Sequence, residues 1–185
     1  MKKYFFVLLF TIVFVCGCQH TDSNQSADAA QWITYDDIVV GSSTLKDVEA
    51  LHGQPNDKDA FENALQVYSY DGYYFMAQDD IVKTIVIESS EAPLLWDEIS
   101  IGSSLDTLLS VLPVTPVELE YDAASPPFDL PENTDEQYGL LITAYDGSPA
   151  NVYDKQLVFV VSPKHMITFQ IDPERDTITG ISLAG

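Results

Sequence analysis

The apolar positions of the chain fall into three regimes. After a basic start at Lys2-Lys3, Tyr4 through Val15 is an apolar run of 12 residues interrupted only by Thr11. A membrane-spanning helix needs about 20 such residues, so the run fits the core of a signal peptide instead. From His20 to Ala30 (HTDSNQSADAA) the residues are small and polar without any period. That composition predicts a flexible tether. Beyond about Thr34, short stretches of helical spacing alternate with stretches of period two, as expected of a folded body.

The helical stretches carry their own boundaries. Thr44 can cap a helix with Asp47 as its capping-box partner, Leu45, Val48 and Leu51 form the apolar stripe, and Gly53 and Pro55 stop it. Ser104 can cap a second helix with Leu105, Leu108, Val111 and Leu112 as its stripe before Pro113. Strands are predicted at Leu65 to Tyr70, Tyr73 to Ala77 and Ile81 to Glu88, with turns at Asp71-Gly72 and Asp79-Asp80. Their later counterparts are Gln156 to Val161, Met166 to Ile171 and Thr177 to Leu183, with an extra strand at Tyr138 to Tyr145. Pro113 to Glu136 holds 5 of the 10 prolines and seven acids with no basic residue, which predicts an exposed irregular loop.

The order of these elements repeats. Tyr35-Asp36-Asp37-Ile38-Val39-Val40-Gly41-Ser42-Ser43 lines up with Trp96-Asp97-Glu98-Ile99-Ser100-Ile101-Gly102-Ser103-Ser104, 61 residues further on. The helix offsets agree if the first copy carries one extra residue after Gly41. Val82 to Ile87 then matches Ile178 to Leu183. The expected organisation is a signal peptide over 1–17, a tether over 18–33, a first unit over 34–90 and a second over 91–185 with its insertion at 113–136. The fold class is α+β: a tandem repeat of a short helical segment and an antiparallel β-meander, helices on one face of the sheet. A unit of about 60 residues buries little surface alone, so the two sheets should join or the copies share a core.

Alternation divides the first meander into two faces. Leu65, Val67, Tyr73, Phe75, Ala77, Ile85 and Ile87 are assigned to the helix-covered core. Gln66, Tyr68, Tyr70, Tyr74, Met76, Thr84 and Val86 make the other face, whose amphipathic and aromatic character is that of interface centres. Tyr68, Tyr70, Tyr74, Met76 and Val86 are therefore the candidate protein-binding residues. The competing reading is ordinary cross-strand packing, or cover by the acidic insertion.

The arrangement of Ile38, Val40, Gly41, Thr44, Val48, Leu51, Gly53 and Pro55, followed by a meander, resembles the envelope domain of the BamE/SmpA type. With Ile99, Ile101, Gly102, Ser104, Leu108 and Leu112 as a second set, the tandem resembles the fold of the β-lactamase inhibitor protein. The second set ends at Pro113 where the first has Gly-x-Pro. The resemblance implies a helical segment packed on one side of an antiparallel sheet whose other face grips a partner protein.

Charge changes the picture of location. The chain has 29 acidic and 8 basic side chains, a net charge of -21. Phosphate contacts need clustered Lys and Arg, so no nucleic-acid role is expected. Val15-Cys16-Gly17-Cys18 resembles the bacterial lipobox, which implies cleavage after Gly17 and acylation of Cys18. A cleaved secretory signal and an uncleaved anchor are the alternatives. Two acyl chains hold a protein stably on a membrane. The body beyond residue 17 keeps all 29 acids but loses Lys2 and Lys3, and it would be repelled by anionic lipid, so only the N-terminal lipid should make membrane contact.

Catalytic chemistry is not spelled out. His20, His52 and His165 are scattered, Cys16 and Cys18 lie in the leader region, and there is no Gly-x-Ser-x-Gly. Asp172-Pro-Glu174-Arg-Asp176 fails the EF-hand pattern at Thr177 and Leu183. The paired acids Asp36-Asp37, Asp79-Asp80 and Asp97-Glu98 do not converge if they lie on strands, where neighbours point to opposite faces. No catalytic residue, metal site or cofactor is expected. The expectation is a non-enzymatic, lipid-anchored protein of the bacterial envelope, facing the periplasm or exterior, that binds an unidentified envelope or extracellular protein. The alternative is a small-ligand or cation binder using its acidic loops.

Overall fold

The computed structural model describes residues 30–61, 64–122, 136–145 and 152–185. Two helices are seated by their own sequence. Helix α1 (Leu45–His52) has a complete capping box: the Asp47 backbone N–H donates to Thr44 Oγ1, and the Asp47 carboxylate accepts from the Thr44 backbone at 2.7 Å. Those hydrogen bonds hold the Asp47 carboxyl below its usual range. Gly53 closes the helix at φ 77°. Helix α2 (Leu105–Val111) is capped by Ser104, whose Oγ accepts from Thr107 N.

Eleven strands are described: β1 (Thr34–Tyr35), β2 (Ile38–Val39), β3 (Asp57–Ala60), β4 (Leu65–Tyr70), β5 (Tyr73–Gln78), β6 (Ile81–Ile87), β7 (Val117–Asp122), β8 (Tyr138–Tyr145), β9 (Val152–Ser162), β10 (His165–Asp172) and β11 (Thr177–Ala184). β1 and β2 form a small hairpin. The others make one mixed sheet of nine strands in the order β3-β4-β5-β6-β11-β10-β9-β8-β7. The protein is mainly β, and the early and late strands join through β6 and β11. That seam is antiparallel and pairs Ile85 with Leu183, Val86 with Ser182 and Ile87 with Ile181.

Each helix is clipped to the sheet by its entry loop. Gly41 N–H donates to the Val82 carbonyl and Gly102 N–H to the Ile178 carbonyl, both at 2.8 Å. Val82 and Ile178 return bonds to the Ser43 and Ser103 carbonyls, both at 2.9 Å, and Leu45 and Leu105 donate to Asp80 and Asp176. Gly41 and Gly102 both take positive φ, 84° and 93°, which a side chain would disfavour. The sequence alignment slips here by one residue. The buried residue that stands before its turn as Tyr35 does is Leu95, not Trp96, and the turn residues with positive φ are Asp36-Asp37 and Trp96-Asp97. These acids therefore lie in turns and not on strands, as do Asp79-Asp80. Glu98 is the extra residue of the second turn, which the Leu95–Ile99 bridge encloses, where Tyr35 and Ile38 enclose only Asp36 and Asp37.

One core lies between the two helices and one face of the large sheet. Val48 of α1 and Leu105 and Leu108 of α2 join Phe75, Ile85, Phe159, Phe169 and Leu183 in a single cluster. Each such large side chain contributes on the order of 1.5–3 kcal/mol by leaving water. Three expectations are corrected by the packing. Leu51 is 54% exposed, because the inward position one turn after Val48 is taken by His52. Trp32 and Ile33 belong to the folded body: Ile33 is buried and Trp32 meets Trp96 and Phe159 edge to face. Part of the segment expected to be an irregular loop is strand β7, and it runs parallel to β8, so the sheet is not a pure antiparallel meander. Val117-Glu118-Leu119-Glu120-Tyr121 alternates with period two, which the flanking prolines and acids concealed.

Candidate functional site

The hairpin of β4 and β5 decides which candidate residues share a face. Its Asp71-Gly72 turn has two residues, so Tyr70 and Tyr73 stand directly opposite each other and point to the same side. Tyr68 likewise faces Phe75, and Val67 faces Met76. The face assignment from sequence is thus slipped by one residue on β4. Tyr68 and Tyr70 lie on the helix-covered side with Tyr73 and Phe75. Tyr74, Met76 and Val86 lie on the opposite side, and Leu65 and Val67 join them there. Tyr74 pairs with Val86 and Met76 with Thr84, which extends this face, helix-free among the described residues, onto β6.

Tyr70 is held by the core instead of presented to a partner. Its ring stacks on Tyr73 at 5.3 Å and 7°, and its hydroxyl donates to the Gly53 carbonyl at 3.0 Å, tying the sheet to the end of α1. Burial, then the neighbouring Tyr73, raises its hydroxyl to a pKa of about 12. His52 fits beneath, its side chain only 4% exposed, with Nδ1 at 3.2 Å from the Tyr73 hydroxyl and 3.6 Å from the Asp36 carboxylate. Its Nε2 and the Tyr35 hydroxyl are buried without a hydrogen-bond partner among the described residues. Burial holds His52 below its ordinary pKa, against the raising effect of Asp36. Tyr68 carries Lys58 over its ring at 4.7 Å, and Lys58 is paired with Glu49.

The helix-free face is uneven. Over β4, β5 and β6 the side chains of Leu65, Val67, Tyr74 and Met76 are half-buried and Val86 is buried. At the far end of the same face Leu140, Ile142 and Ala144 of β8 are only 1%, 6% and 2% exposed, so it is closed there. A concavity lies on the helix side of that end. It has a volume of about 250 Å³ and is lined by Glu118 and Glu120 of β7, Thr143 and Tyr145 of β8, Lys155 of β9 and Pro173, among others. The Tyr145 hydroxyl bonds the Glu120 carboxylate, and this bond raises the phenol above its usual value. Lys155 meets Asp176 at 2.5 Å.

Sequence reasoning missed Leu65 and Val67 as surface residues, although the Tyr70–Tyr73 spacing about a two-residue turn carried the signal. It also missed Glu118 and Glu120, whose strand alternation was there to read. Cys18 lies outside the described residues. Asp172 closes the β10–β11 turn by accepting from Glu174 N and Arg175 N. Among the described residues no group of three or more His, Cys, Asp or Glu side chains could hold a metal, and no helix is long and apolar enough to cross a membrane.

No family model matches the chain, and no curated protein matches it in sequence. Among solved structures it is similar to an extracellular protein containing a SCP domain from Bacillus anthracis str. Ames, at 12% identity and a TM-score of 0.49, covering 94% of this chain and 50% of that one. It is also similar to a cysteine-rich secretory protein from Staphylococcus aureus subsp. aureus Mu50, at 12% identity and a TM-score of 0.47, covering 78% of this chain and 44% of that one. A DUF4309 family protein, YjgB, from Bacillus subtilis subsp. subtilis str. 168 matches at 16% identity and a TM-score of 0.46, covering 88% and 93% of the two chains. The chain spans about half the length of the first two.

Proposed function

We propose that the chain is a lipid-anchored protein of the bacterial cell envelope, facing the periplasm or exterior, that acts as a non-catalytic protein-binding or assembly module. The observation that carries this reading is the helix-free face over β4 to β6. Leu65, Val67, Tyr74 and Met76 form a half-exposed apolar surface around Val86, and a contiguous apolar patch on a folded protein needs a reason. Tyr and Met are favoured at the centres of protein interfaces. In this reading Cys18 is the acylated residue, and the polar stretch after it sets the body off from the membrane. The body is a duplicated BamE/SmpA-like unit of the β-lactamase inhibitor protein type. The paired clips at Gly41 and Gly102 support the duplication, as does the β6–β11 register, in which exchanging the two strands carries Ile85–Leu183 onto Ile181–Ile87.

The reading is tested in two steps. Metabolic labelling with a fatty-acid analogue should mark the wild-type chain and not the Cys18→Ser variant, which should leave the membrane fraction. Crosslinking in intact cells, followed by capture, should then yield one discrete partner that is lost from a Val67→Glu/Met76→Glu variant. Labelling that survives Cys18→Ser would remove the anchor, and identical capture by both forms would remove the docking face.

A further inference from the structure

The two margins of the nine-stranded sheet differ in chemistry. At one end β3 carries Asp57, Lys58 and Asp59, all exposed, the charged composition that blunts an edge against pairing. At the other end β7 alternates apolar Val117 and Leu119 with Glu118 and Glu120. Among the described residues no strand pairs with it on the side away from β8. Val117 is 59% exposed, and both glutamates are exposed at the mouth of the 250 Å³ cleft. The basic side chain lining that cleft, Lys155, is already engaged by Asp176.

We propose that β7 is a strand-addition site for an extended peptide segment in which Lys or Arg alternates with apolar residues. Main-chain hydrogen bonds to a sheet edge supply affinity, and the alternating side chains supply selectivity. On the helix side the basic residues meet Glu118 and Glu120, with a stem laid along Leu141 and Thr143. On the opposite side the apolar residues cover Val117 and Leu119. The chain's net charge of -21 favours approach of a basic segment and rejects an acidic one. This goes beyond the sheet-face reading: it concerns the other end of the sheet and can fail without it.

The probe is the synthetic peptide acetyl-Lys-Val-Lys-Val-Lys-Val-amide, with a Glu-Val peptide of the same length as its control, titrated against the folded chain. The Lys-Val peptide should bind and slow amide exchange within residues 117–122, while the Glu-Val peptide does neither. Glu118→Lys/Glu120→Lys should weaken binding by about tenfold or more. Asp57→Lys/Asp59→Lys, with the same charge change at the opposite edge, should alter it by no more than about twofold. Val67→Glu/Met76→Glu should likewise alter it by no more than about twofold, which separates this site from the sheet face. Equal losses in the two charge-reversal variants, or exchange in β7 unaltered by the peptide on the wild-type chain, would overturn the proposal.

Discussion

At the scale of single residues, His52 shows how burial and charge compete. Its ordinary pKa is about 6.5, and burial beneath Tyr70 and Tyr73 lowers it in the folded chain despite Asp36 at 3.6 Å. The unfolded chain then binds more protons as pH falls through about 6.5, so the contribution of His52 to stability is full above that value and is lost below it. His165 is lowered too, by burial and by Lys164 and Lys83, and acts in the same direction. Acidification also relieves the repulsion among 29 acids, an opposing effect. The comparison between wild type and His52→Gln isolates the histidine: between about pH 7.5 and pH 5.5 the unfolding midpoint of the variant should fall less, by a few degrees. Parallel curves would refute the assignment. Gly72 makes a second test. It takes φ 84° and an added Cβ would collide with Ser89, whereas Gly53, at φ 77°, has nothing near it. Both alanine variants carry the backbone penalty, and Gly72→Ala should cost about 1–3 kcal/mol more in denaturant unfolding.

At the scale of elements, capping and turns were legible and faces were not. The Thr44 box, the Ser104 cap, the Asp71-Gly72 turn and the extra strand at Tyr138 to Tyr145 could all be read because each is a local rule written in a few neighbouring residues. The face of β4 was misread because Gln66, Tyr68 and Tyr70 look more polar than Leu65 and Val67. Hydrophobicity favoured one alternation, but the two-residue turn imposed the other, and turn geometry fixes register. Helix α1 repeats the lesson. Leucine at 51 fits the stripe in composition, yet the aromatic pocket formed by Tyr70, Tyr73 and Phe75 takes the flat ring of His52. Alanine at Val48 should therefore cost about 1–3 kcal/mol, while Leu51→Ala should stay within about 0.5 kcal/mol of wild type. On the sheet, Tyr70→Phe should lose about 1 kcal/mol with its bond to Gly53, and Met76→Ala should lose little stability. A larger loss from Met76→Ala than from Tyr70→Phe would mean that the exposed and covered faces are reversed. Strand β7 was hidden for a different reason: its parallel partner is not its hairpin neighbour, and no local turn announces such a pairing.

At the scale of the whole molecule, a single core spans both helices and the centre of the sheet, and the seam between β6 and β11 runs through it. The early and late segments should unfold together. A Val86→Pro variant, which removes a donor from a central strand, should lower one cooperative transition and not split it into two. The candidate site depends on this scale most of all, since the sheet must be assembled before Val67, Met76 and Val86 lie side by side. The central claim is that this helix-free face engages a partner protein. It is tested most directly by placing a photo-crosslinking amino acid at Val67, Met76 or Leu51 in turn, in the cells that produce the chain. Val67 and Met76 should give the same discrete crosslinked species and Leu51, on the outer surface of α1, should give none. The same products from all three positions, or none from the sheet face, would contradict it.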